Sequence, residues 1–145
     1  MNNIYPNPWD FSNSDKNLTS PNKKYRIEYS ELYEIAMGAP IGGECFLISD
    51  DIKIKLSDFC SGPIIWNQDS SKIALPIWTK NRDQKIGVFD IESKTITLYK
   101  RKFRVLQLDS FINNKITGID SPIFQTEIIE INTKTELIES ITNLK

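Results

Sequence analysis

The stretch GAPIGGECF, residues 38–46, holds three of the six glycines in the chain. A glycine-rich loop beside apolar runs cradles a phosphate when a strand leads into it and a helix leads out. The chemistry here is different. Gly38 and Gly42 have only three residues between them, no lysine follows Gly43, and Glu44 would repel a phosphate at the loop's end. The next run, CFLIS at 45–49, is strand-like. Two readings remain: a hairpin connection whose glycines permit positive φ, or a loop shown to a protein partner.

The 145 residues include no histidine. That removes Ser-His-Asp and Cys-His nucleophilic sites and every His-ligated metal centre. Cys45 and Cys60 are the only cysteines, too few for a structural zinc site. They are expected to be reduced, small and buried, with a disulfide or redox role as the other reading. The Asp50-Asp51 pair lacks the spacing of a calcium loop and reads as a tight turn. No cofactor is expected, and the chain is expected not to be an enzyme.

The charged and aromatic residues fall into three groups. Glu28, Glu31, Glu34, Glu44, Asp50 and Asp51 lie around one hairpin, with Tyr29 and Tyr33 among them. Carboxylates with tyrosines suit a basic protein partner, because tyrosine gives rigid contact area and charge steers encounter. The run YKRKFR, residues 99–104, interleaves four basic residues with two aromatics. It reads either as a nucleic-acid track or as a solvated connection between strands. The acidic remainder of the chain argues against a general nucleic-acid binder. The run IWTKNRDQK, residues 77–85, pairs Trp78 with Arg82. An exposed Trp beside Arg is hot-spot chemistry; the alternative is that Trp78 packs inside and only the loop is exposed. The candidate contact residues are Glu31, Tyr33, Glu34, Met37, Glu44, Trp78 and Arg82.

These residues must be placed by a β framework. Hydrophobic residues make up 39% of the chain and net charge is −1, a globular composition for one domain or a short repeat array. The charge is uneven: residues 71–104 carry nine basic and three acidic groups, and both flanks are acidic. Residues 1–20, rich in Asn, Ser, Asp and Pro, read as an extended polar lead-in. The beginning shows neither a basic nor an apolar signal region, and no apolar run approaches a membrane span. The expected location is the cytoplasm, with no membrane association.

From residue 21 onward, apolar residues alternate. The pattern holds in YRIEY (25–29), IKIKL (52–56), ITL (96–98) and TEIIEI (126–131). Period two with one buried face marks antiparallel strands. A polar turn, a lysine and an apolar strand recur at Lys24, Lys72 and Lys115, each followed by two further strands. The fold expected is all-β and antiparallel, with about three blade-like four-stranded repeats at residues 21–62, 63–104 and 105–145. They would form a partial propeller or a sandwich-like arrangement. Pro76 inside ALPIW (74–78) argues for an edge or a bulge. Residues 30–37 admit a helical turn or a bulged strand or excursion.

The middle unit, WNQDSSKIAL at 66–75 followed by IGVFDIESKTITL at 86–98, resembles a blade of the TolB or WD-repeat kind, although its turn at 90–94 lacks the usual glycine. PNKKYRIEYSE (21–31), EIAMGAPIGG (34–43), GPIIW (62–66), PIWT (76–79) and QKIGVFD (84–90) together resemble the small bacterial immunity proteins encoded beside polymorphic toxins. That resemblance implies a cytoplasmic protein that binds and neutralises one cognate toxin C-terminal domain. The alternative is a non-enzymatic propeller-like scaffold or interaction module. The first unit carries extra residues: the spacing from Lys24 to Cys45 is 21 positions, against 14 from Lys72 to Ile86 and 11 from Lys115 to Thr126. The segment from Glu31 to Gly43 is expected to face the partner.

Overall fold

The computed structural model describes residues 5–34, 36–123 and 126–144. The alternating segments form twelve strands: β1 (Arg26–Tyr29), β2 (Tyr33–Glu34), β3 (Ile41–Ser49), β4 (Ile52–Cys60), β5 (Ile65–Trp66), β6 (Lys72–Trp78), β7 (Gln84–Asp90), β8 (Thr95–Tyr99), β9 (Leu106–Ile112), β10 (Lys115–Asp120), β11 (Glu127–Asn132) and β12 (Ile138–Asn143). One 3-10 turn, Lys16–Leu18, is the only helical piece among the described residues. The fold is all-β and antiparallel.

The strands make two open sheets. Nine belong to the larger, in the order β1-β3-β4-β6-β7-β8-β12, with β2 beside β3 and β5 beside β6. The smaller has the order β11-β10-β9. The middle unit keeps its four strands together as the meander β5-β6-β7-β8. Its turn at 90–94 closes without glycine because Lys94 takes φ 55° and donates its N–H to the Asp90 carbonyl at 2.9 Å. The other units do not stay apart. The first joins the middle one through Cys60 of β4 opposite Ile77 of β6. The third holds β9, β10 and β11 together, but its last strand leaves and pairs with β8.

Alternation along β6 and β7 feeds two cores. Ile73, Leu75 and Phe89 enter one with Ile27, Tyr29, Cys45, Leu47 and Leu56. Ala74, Ile86 and Val88 enter the other with Leu106, Leu108, Phe111, Ile116, Ile129 and Ile131, under the smaller sheet. Both strands are therefore buried on both faces. That explains why their sequences read as near-continuous apolar runs rather than clean alternation.

Pro76 sits in this central strand, which its type disfavours. The strand beside β6 changes there: β5 pairs with Ile73 and Ala74, and β4 pairs only from Ile77. The Pro76 carbonyl on that side accepts the Ser61 N–H at 2.9 Å. The missing N–H falls where no ladder bond is required. It marks an interruption inside the sheet, not an edge strand.

The polar segment at 5–20 does more than lead in. Phe11 and Leu18 are buried in the first core. The Asn13 side chain takes both backbone groups of Tyr29, accepting its N–H at 2.7 Å and donating to its carbonyl at 2.8 Å. Asp15, also buried, accepts the Ser12 N–H at 2.9 Å.

The cysteines depart from the expectation of free thiols. Register shifts in β3 around Cys45 bring it near Cys60 of β4, with Cα atoms 6.4 Å apart, and the two are paired as a disulfide. The spacing lies within the range such bridges tolerate. Both residues are buried, as expected. Among the described residues, no helix is long and apolar enough to cross a membrane.

Candidate protein-binding face

The β6–β7 hairpin and the connection from β1 to β3 meet at one end of the larger sheet. In the hairpin, β6 ends at the buried Trp78. The Thr79 N–H donates to the Asp83 carbonyl at 2.9 Å and the Arg82 N–H to the Thr79 carbonyl at 3.2 Å. The Thr79 hydroxyl also donates to the Asp83 carboxylate. Arg82 takes φ 64° to close this turn and is exposed.

The connection from β1 is an excursion with its own short strand. Tyr33 pairs with Gly42 and Glu34 with Ile41. The Glu34 carboxylate accepts the Gly38 N–H at 2.9 Å. The Trp9 indole N–H donates to the Gly38 carbonyl at 3.0 Å, and the Ile41 N–H to the Pro8 carbonyl at 3.1 Å. The N-terminal segment thus clamps the turn. Ile35, one of the residues behind the helical-turn reading, lies outside the described residues; the described neighbours form the short strand and the turn.

The glycines of this stretch have separate tasks. Gly38 alone has positive φ, +77°. Gly42 and Gly43 lie within β3 and permit close approach. A Cβ on Gly42 would meet Phe59 Cε1 at 2.7 Å, the Cys60 carbonyl oxygen at 2.9 Å and Trp78 Cδ1 at 3.1 Å. A Cβ on Gly43 would meet the Glu31 carbonyl oxygen at 2.6 Å. Backbone cannot yield as a flexible side chain can. The hairpin reading therefore holds for Gly38, and the other two glycines serve packing between neighbouring strands.

That packing builds an aromatic row. The Tyr33 ring stacks on Phe59 at 5.4 Å and 8°, and Phe59 meets Trp78 at 6.1 Å. Beside it lies an open groove of about 420 Å³ walled by Trp9, Met37, Trp78, Arg82, Asp83 and Arg104, among others. The Met37 side chain is wholly exposed.

Of the seven candidate residues, Met37, Trp78 and Arg82 share this groove. Tyr33, half-exposed, joins them through Phe59. Glu34 fixes the turn at the rim, and Glu31 is exposed on the same excursion. Trp78 is packed and its loop is exposed, the second of the two readings. Glu44 does not line the groove; it pairs with Lys55 at 2.9 Å. Hydrogen bonds to Asp58 and then to Glu44 push the Lys55 ammonium pKa well above its ordinary value.

Trp9, Phe59 and Arg104 were not singled out as contact residues. Arg104 belongs to the basic run at 99–104, which does not form a stacking track. Tyr99 and Phe103 are buried, and Arg101 makes two bonds to Glu136 at 3.0 and 2.8 Å. Among the described residues, no group of three or more Cys, Asp or Glu could hold a metal ion. No protein-family model, curated protein or solved structure matches the chain.

Proposed function

We propose that this chain is an immunity protein that binds a cognate toxin domain and neutralises it, using the face between the β1–β3 excursion and the β6–β7 hairpin. The observation that carries the reading is the pairing of a rigid aromatic row with a fully exposed methionine at an open groove. Aromatic anchors next to apolar surface, rimmed by charge, are the usual energetic centre of a protein interface. The resemblance of the quoted segments to immunity proteins supplies the partner class. The face supports a binding role, and the reading requires no chemistry by the chain itself.

The reading expects a toxin domain to be encoded next to this gene, and the test is co-expression with that domain. The chain should rescue growth. Met37→Asp should abolish rescue while changing stability by less than about 0.5 kcal/mol, because the side chain has no packing to lose. Absence of rescue by the unaltered chain would sink the reading. The expected site of action is the cytoplasm, whereas a disulfide belongs to oxidising compartments. Because both sulfurs are buried, the thiols are trapped by quenching the cells in acid and alkylating the denatured chain. Modified Cys45 and Cys60 then support the cytoplasm, and unmodified, disulfide-paired ones support an oxidising compartment.

A further inference from the structure

We infer that the groove accepts an acidic side chain of the partner, an Asp or Glu flanked by an apolar residue. This rests on the binding reading above and names the chemistry it would recognise.

The unused polar groups around the groove are all donors. Arg82 and Arg104 are exposed, stand in its wall, and take part in none of the ion pairs among the described residues. The one carboxylate in the wall, Asp83, is already engaged by the Thr79 hydroxyl. Trp78 is 7% exposed, and its buried indole N–H has no acceptor among the described residues. Directly across the hairpin from Trp78 is Gln84, fully buried. Its amide oxygen accepts the Leu106 N–H at 2.6 Å, and its amide nitrogen has no partner among the described residues. Buried donors without acceptors are costly, and native structures carry few of them. Trp78 brings one such donor into a wall that also holds two guanidinium groups outside any ion pair among the described residues, and that combination calls for an acceptor bearing negative charge.

The remaining wall decides what carries that charge. Met37, Trp9 and the Ala36, Ala39 and Pro40 segment offer apolar surface that a bare ion would not use. Exposed arginines hold an isolated anion weakly in water. A nucleic-acid strand would bring many phosphates past Glu31 and Glu34, both exposed on the excursion that forms the rim. One carboxylate beside an apolar side chain answers the two guanidinium groups and the Trp78 indole and covers the apolar wall.

The tryptophans provide the readout. The Trp78 indole N–H should move when it gains an acceptor. The Trp66 indole N–H, already donating to the Leu18 carbonyl at 3.2 Å, is an internal control. The 15N-labelled full chain would be titrated with the peptide Ac-Phe-Glu-Leu-NH2 and its glutamine counterpart. The acidic peptide should shift Trp78 and leave Trp66 in place. It should bind at least about tenfold more tightly than the neutral one, and lose that margin in the Arg82→Gln/Arg104→Gln variant. Equal binding of the two peptides would overturn the inference. So would inorganic phosphate or a short oligothymidylate binding as tightly as the acidic peptide. The titration needs no toxin: peptide binding without rescue retires the immunity reading and keeps the acid site, and rescue without peptide binding does the reverse.

Discussion

The two ends of the nine-stranded sheet are finished in opposite ways. At one end, β1 is sealed by the N-terminal segment. Asn13 replaces a neighbouring strand with one amide, Thr19 bridges to Arg26, and the Phe11 ring packs on Tyr29 at 5.0 Å. At the other end, all six residues of β12 are exposed. That strand is attached by its ladder to β8 and by the Lys85–Glu139 pair. The difference follows from burial. β1 carries Ile27 and Tyr29 of the core, and the Asn13 amide pairs the outward backbone groups of Tyr29. β12 carries no core residue, and its polar groups remain solvated.

The contrast is broken most severely at Phe11. Phe11→Ala empties a core position and should cost about 3–5 kcal/mol in denaturant unfolding. Asn13→Ala leaves the backbone groups of Tyr29 unpaired without touching the core. It should cost about 1–3 kcal/mol and speed hydrogen exchange along β1. A pH series probes the sealed end in a third way. Burial raises the Tyr29 phenol above its ordinary 10.0. Its neutral form is shared by folded and unfolded chains at lower pH, so the contribution is intact there. It is lost as pH rises beyond that value, when only the unfolded chain ionises freely. Stability should fall above about pH 10, and Tyr29→Phe should make that fall shallower. A parent and variant with equal alkaline slopes would remove Tyr29 from this account. The smallest effect belongs to the open end: Ile141→Thr, at a side chain 61% exposed, should change stability by less than about 0.5 kcal/mol.

The same contrast explains what was legible beforehand. The apolar runs within residues 72–91 and the alternation at 96–98 predicted β6, β7 and β8 because strand character is local. The polar N-terminal composition concealed the seal: a side-chain amide imitating a strand leaves no periodic trace. The destination of β12 was equally hidden, since residues 136–143 look alike whether they stay with β11 or cross to β8. At the candidate face, Met37, Trp78 and Arg82 could be picked out by type, while Trp9, Phe59 and Arg104 become neighbours only through pairings distant in sequence. Gly42 and Gly43 attracted attention for the wrong chemistry. Their real constraint, the nearness of Phe59, Cys60 and the Glu31 backbone, exists only in three dimensions.

The central hairpin has a consequence for how the molecule fails. Ile73 and Leu75 serve one core and Ala74 and Val88 the other, with no spacer between them. There is no fault line along which one half could be peeled away while the other keeps its interior dry. Damage to either side withdraws support from a wall that both share, so heat or denaturant should meet a single cooperative body rather than a row of separable repeats.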